Sequence, residues 1–191
     1  MGVYFYTMNR VTILFDDAHM NPVKDVVSNI KCGLEEAGLH VNMMNTQNVD
    51  RDVLLESDGI IFGCPTAMGG VTLEFKKLMD SLHNPTVQQL FKDKIAAGFT
   101  FGSDMYRDTD TVLNQLIGFA SHNSMVWVCQ GHIQMNEGAH DNGENREINV
   151  ARATLGNTTM IAVNSPLKLT QLQTAYYFGF RVGTAVNRWT Y

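Results

Sequence analysis

The chemistry-bearing residues of this chain cluster in turns and loops. Pro65-Thr-Ala-Met-Gly-Gly70 separates an apolar run from a helical pattern. Glycines there let a backbone approach a bound molecule closely, and the same composition also serves as a plain strand-to-helix turn. Asp16 and Asp17 end another apolar run and read as acidic turn residues, with Asp17 able to cap the turn that follows. His122 is a lone histidine at the end of a helical pattern. His132, Glu137, His140, Asp141, Glu144 and Glu147 carry metal-binding atoms, but their spacings match no zinc motif, and no metal site is expected. Cys32, Cys64 and Cys129 are far apart and odd in number, which argues against a disulfide framework and for a reducing, cytoplasmic setting. There is no G-x-S-x-G elbow, no phosphate loop ending in GK[ST], and no G-x-G-x-x-G after the first apolar run. Hydrolase, nucleoside-triphosphatase and dinucleotide-fold readings therefore lack support.

Strands must alternate with helices to position these turns. Short β-rich or apolar runs at about residues 11–15, 39–43, 59–63, 94–101 and 125–129 predict five parallel strands. Between them, Val23, Val26, Val27, Ile30 and Leu34 recur at helical spacing after Asn21 and Pro22, and Gly38 can end that helix. Val53 to Leu55 suggest a short helix. Phe75, Leu78, Met79 and Leu82 mark the next, Leu113, Leu116, Ile117 and Ala120 the one after, and Leu172, Tyr176, Gly179, Val182 and Val186 the last. Such alternation predicts an α/β, doubly wound, five-stranded parallel sheet, flavodoxin-like, in order 2-1-3-4-5. Ligands of this architecture bind beyond the carboxyl ends of the strands, where the winding direction switches.

The chain has 191 residues, enough for one domain spanning 1–191, with residues 130–166 as a long loop or insertion. A formal net charge of −5 gives no general attraction to nucleic acid or anionic membranes. No apolar run approaches the roughly 20 residues of a membrane helix. The start, Met1 to Arg10, does not read as a secretory signal.

Several segments resemble, in order, the flavodoxin-like NAD(P)H:quinone oxidoreductases of the WrbA type. They are Ile60-Ile-Phe-Gly-Cys-Pro-Thr-Ala-Met-Gly-Gly-Val71 with Phe75-Lys-Lys-Leu-Met-Asp80, Lys94-Ile-Ala-Ala-Gly-Phe-Thr100, Ala120-Ser-His-Asn-Ser-Met-Val126, Gly156-Asn-Thr-Thr159 and Ala175-Tyr-Tyr-Phe-Gly-Phe-Arg-Val182. The resemblance runs from about residue 11 to the end. It implies FMN held by three loops, NAD(P)H as co-substrate, a small-molecule electron acceptor such as a quinone, and a homo-oligomer, dimer or tetramer. The implied cofactor contacts are Asp17, His19, Met20, Asn21 and Pro22 in the first loop. In the second they are Pro65, Thr66, Ala67, Met68, Gly69 and Gly70, and in the third Thr100, Phe101, Gly102, Ser103 and Tyr106. His122 joins them, with Tyr106, as an acceptor-side contact. No protein acid or base is required, and no catalytic residue is assigned.

The first loop departs from the family's S/T-x-T-G-N-T, and only Asn21 agrees. Asp17 puts an anion where a hydroxyl stands, Met20 replaces a glycine, and Pro22 removes a hydroxyl and an N–H. His19 and Lys24 can compensate. Phe101, Met105 and Tyr106 either stack on a flavin or fill its slot. Two readings follow: an FMN-dependent oxidoreductase, or a flavodoxin-like binding or scaffold protein that has weakened or lost FMN binding.

Overall fold

The computed structural model describes residues 8–16, 21–82, 90–102, 109–131, 159–162 and 169–190. The elements run β1 (Arg10–Phe15), α1 (Asn21–Glu36), β2 (His40–Asn45), α2 (Arg51–Glu56), β3 (Gly59–Pro65), α3 (Leu73–Leu82), β4 (Ile95–Gly102), α4 (Thr109–His122), β5 (Val126–Trp127), β6 (Thr159–Ala162) and α5 (Leu169–Trp189). All strand pairs are parallel, and the path is β2-β1-β3-β4-β5, as the alternation predicts.

One strand expectation is corrected. The fifth strand does not extend over 125–129, and the segment 130–166 is not wholly irregular. Among the described residues Val126–Trp127 pairs with Ile95 and Ala96, at the amino half of β4. Thr159–Ala162 pairs with Phe99 to Gly102, at the carboxyl half. Two short strands thus share one edge of β4, and residues 128–158 are inserted between them. The run Thr158-Thr-Met-Ile-Ala-Val163 has the β-branched character that such a strand needs, but the polar residues on both sides mask it.

The helices cover both faces. Val23, Val26, Val27, Ile30 and Leu34 of α1 meet Ala175, Phe178, Val182 and Val186 of α5 over one face of the sheet. Leu54 of α2, Phe75, Leu78 and Leu82 of α3, and Val112, Leu113, Leu116 and Phe119 of α4 cover the other. The central strand β3 is buried along its whole length, so its run reads as continuously apolar. Helix α1 ends as Gly38 predicts. Gly38 has φ 84°, its N–H donates to Glu35 O (2.9 Å), and Leu39 N–H donates to Leu34 O (3.3 Å). That pair of bonds is a Schellman cap, closed by contact between buried Leu34 and Leu39.

Candidate functional site

Helix α1 lies on one face of the sheet and α3 on the other, so the chain leaves β1 and β3 in opposite directions. The crevice opened by that divergence is the ligand position of a doubly wound sheet. Four described segments border it: Asp16 at the end of β1, residues 65–72 after β3, Thr100 to Gly102 at the end of β4, and the first turn of α1 with Asn21 and Pro22.

The β3–α3 connection is the best-defined wall. Ala67 and Gly70 exchange both backbone hydrogen bonds (2.9 and 3.0 Å) around Met68 and Gly69. Met68 has φ 46° and Gly69 φ 78°, the two left-handed residues of a type I′ turn. Asparagine or glycine takes such a φ easily. A methionine there costs about 1 kcal/mol and marks a position shaped by something other than stability. Its side chain is fully exposed (101%). The N–H groups of Met68 and Gly69 donate to nothing among the described residues. Gln115, reaching across from α4, accepts from Val71 N–H at 3.1 Å and fixes the exit of the turn.

Below the turn the polar contacts run across strands. Thr66 N–H donates to Phe101 O (2.8 Å), and the hydroxyls of Thr66 and Thr100 lie 3.0 Å apart. Asp16 is buried, 1% exposed, with its N–H on Gly63 O (2.9 Å). Thr72 donates its hydroxyl to Asp16 Oδ2 (2.5 Å) and accepts from Phe75 N–H (3.2 Å), which caps α3. Cys64 is buried beside them, 3.9 Å from the Thr72 hydroxyl. Burial pushes its thiol up to about 12, with the nearby Asp16 charge adding to the rise, so Cys64 is a packed thiol rather than a nucleophile.

The structure brings together Pro65, Thr66, Ala67, Met68, Gly69, Gly70, Thr100, Phe101 and Gly102. Of the two parts that the sequence left open for Phe101, stacking on a flavin and filling space, the packing favours the second: its side chain is 2% exposed and packs in the core beside Phe99 (ring centroids 6.2 Å). His122 does not join the loops within one chain. It ends α4, which runs back against β4, and the next residues bond to Asp93 and Lys94 at the amino end of that strand. The length of β4 separates it from the crevice, roughly 20 Å at about 3.3 Å per residue. Its Nδ1 lies 2.8 Å from Gly118 O on its own helix. Asp17, His19, Met20, Ser103 and Tyr106 lie outside the described residues. Asp16, Thr72 and Gln115 are contributors that sequence reading missed. Asp16 read as an acidic turn residue at a strand end, and the partners of the other two lie 56 and 44 positions away.

A parallel sheet in the order β2-β1-β3-β4-β5 with helices on both faces defines the class of flavodoxin-like folds. The flavodoxin family profile matches residues 23–143, and the chain belongs to that family, which binds FMN. The flavodoxin FldP of Pseudomonas aeruginosa is 26% identical over 131 residues, 69% of this chain and 71% of its own. A flavodoxin of Clostridium saccharobutylicum is 29% identical over 113 residues, 56% of this chain and 68% of its own. Among solved structures, a flavodoxin, WrbA-like protein from Agrobacterium tumefaciens superposes with a TM-score of 0.70 at 23% identity, covering 95% of this chain and 99% of that one. An archaeal flavodoxin superposes at 0.65 with 15% identity, covering 93% and 99%.

The ring end of the crevice fits a flavin. An isoalloxazine edge needs N–H donors and small groups that approach closely, and the N–H groups of Met68 and Gly69, beside Gly70, would be the donors. Among the described residues no three histidines, cysteines or carboxylates gather as a metal site would require, and no helix is long and apolar enough to cross a membrane.

Proposed function

We infer that this chain is an FMN-dependent oxidoreductase that moves a hydride from NAD(P)H to a quinone or similar small acceptor, in the manner of the WrbA type. The observation that carries the reading is the type I′ turn at the switch point, with its strained, fully exposed Met68 and two N–H groups that donate to nothing among the described residues. Bound FMN would supply the two-electron chemistry. The chain supplies the slot. Met68 and Gly69 offer N–H groups to the ring edge, Thr66 offers a hydroxyl backed by the buried Thr100 hydroxyl, and Gln115 keeps the turn in place. The Met68 side chain is the apolar surface available to a flat ring. The domain is read as one unit over residues 1–191.

Titration with FMN, followed by flavin fluorescence, is the first test. Quenching that saturates, followed by oxidation of NADH or NADPH when a benzoquinone is added, supports the reading. Flavin that binds but accepts electrons only from dithionite makes the chain a plain electron carrier, which the names of its two curated relatives favour. No binding at any FMN concentration leaves the scaffold reading. The buried Asp16 carboxylate near the phosphate end is the observation on that side.

The assembly proposal is a homo-oligomer. Tyr177 and Phe180 stand exposed on α5, at 55% and 41%, on a chain whose long insertion leaves the edge of β4. Light scattering at micromolar protein is expected to give at least twice the 21.3 kDa chain mass. A mass equal to one chain removes the proposal.

A further inference from the structure

The turn after β3 is tied at both ends, and by two different elements. At its entry Thr66 N–H donates to Phe101 O on β4 (2.8 Å). At its exit Val71 N–H donates to Gln115 Oε1 on α4 (3.1 Å). A methyl added to Gly70 would stand 3.5 Å from Gln115 Nε2 and 3.7 Å from its Oε1, so the same amide also lies against the turn itself. Gln115 is exposed, but its neighbours Leu113 and Leu116 are buried, so the helix beneath it is anchored in the core. Between the two ties stands Met68 at φ 46°, a conformation that a residue with a Cβ disfavours. The paired bonds of Ala67 and Gly70 do not by themselves impose it. A two-residue hairpin also closes around a type I turn, whose central residues have negative φ and whose flanking segments splay apart. A fixed exit opposes that splaying.

We propose that Gln115 is a positioning residue that keeps Met68 left-handed by holding Val71. The inference rests on the flavin reading given above, which assigns the N–H groups of Met68 and Gly69 to the ring. The strain at Met68 and the bond to Gln115 are of similar size, so the bond decides how fully the left-handed turn is populated. A site that is competent in only part of its molecules binds more weakly in proportion. Met68→Gly removes the strain, and a turn without strain has no need of the tie. The effect of Gln115 on binding is therefore coupled to the residue type at position 68, as that of a contact which merely adds stability would not be.

The experiment measures FMN dissociation constants and amide hydrogen exchange at Val71 for the full chain and its variants. Gln115→Met keeps the length and helix preference of the side chain and removes the acceptor. It is expected to speed exchange at Val71 and to weaken FMN, each about fivefold, the scale of one neutral hydrogen bond. Gln115→Glu keeps an acceptor within the same reach and is expected to restore slow exchange at Val71. In a Met68→Gly background, Gln115→Met is expected to change FMN affinity by less than about twofold. An undiminished loss in that background would show that Gln115 acts by another route, and would overturn the proposal. Exchange at Val71 that Gln115→Met leaves unchanged would overturn it as well, because the tie would then be absent in solution. So would parent affinity in Gln115→Met itself. If the parent binds no FMN, the flavin reading fails and the ligand role falls with it, while exchange at Val71 still shows whether Gln115 holds the turn. If the parent binds FMN and the two positions show no coupling, the flavin reading stands and only the positioning role is lost.

Discussion

Gly33→Ala and Gly179→Ala are each expected to destabilise the protein by about 3 kcal/mol, near the upper end for overpacking a close contact. A Cβ on Gly33 would lie 2.0 Å from Tyr176 O, and one on Gly179 would lie 2.1 Å from Ile30 O. Both obstacles are backbone atoms, which cannot rotate aside as a side chain can. Helices α1 and α5 would have to separate, and the apolar layer of Ile30, Leu34, Phe178 and Val182 would open with them. For a chain of this length about 3 kcal/mol lowers the melting temperature by roughly 6–12 °C. The double variant is expected to cost less than the sum, because one separation relieves both clashes. Gly118→Ala in α4 is the control of opposite sign. Nothing lies within 4 Å of its added methyl, so it is expected to stabilise by about 0.5–1 kcal/mol. Thermal melts of the four variants against the parent settle the matter. A loss below about 1 kcal/mol at either glycine would mean that the helices do not cross this closely.

That helix crossing also shows what sequence could not supply. The spacing of Val23, Val26, Val27, Ile30 and Leu34 identifies the buried stripe of α1, because the rest of that helix is polar. Helix α5 is apolar on several sides, so its spacing admits more than one stripe. Leu172 and Tyr176, picked by spacing, are only half-buried, whereas Ala175 and Phe178 are in the core. What decides is the pair of glycines that brings α1 against α5, a fact about two helices together. The strand order was legible because β3 is covered on both faces and so lacks any polar alternation. The split fifth strand was not, since two residues at Val126 and Trp127 carry too little pattern and the strand that continues their edge starts only at Thr159.

The candidate site divides along the same line. The turn at residues 65–70 is local chemistry, with glycine, proline and small side chains in a row, and sequence located it. Asp16 and Thr72 are joined only by tertiary structure, so Asp16 read alone as an acidic turn residue and Thr72 carried no signal at all. His122 shows the reverse error. Its place in a motif suggested the crevice, but the direction of α4 carries it to the opposite end of the sheet.

The largest expected gain concerns the first loop. If FMN binds, its phosphate must meet the N–H groups that open α1, where the helix dipole favours an anion. Asp17 stands against it, and the loop carries an acid and a proline where hydroxyl residues serve the rest of the resembled family. A like charge a few ångströms away costs about 1 kcal/mol in water and about 4 at intermediate dielectric. Each missing hydrogen bond to a charged partner adds about 1.5–3 kcal/mol. Protein purified without added flavin is therefore expected to be pale or colourless, and to take up FMN when it is supplied in excess. Asp17→Ser together with Pro22→Thr removes the repulsion and returns two hydroxyls, and is expected to tighten FMN about tenfold or more. Riboflavin, which has no phosphate, should bind both proteins alike. Fluorescence titration of parent and double variant with each flavin measures the two effects side by side. Should the double variant bind FMN no better than the parent, the phosphate does not sit at the start of α1. A parent that already holds FMN at nanomolar strength would place the compensation on His19 or Lys24, and substituting each in turn would show which cation opposes the charge of Asp17.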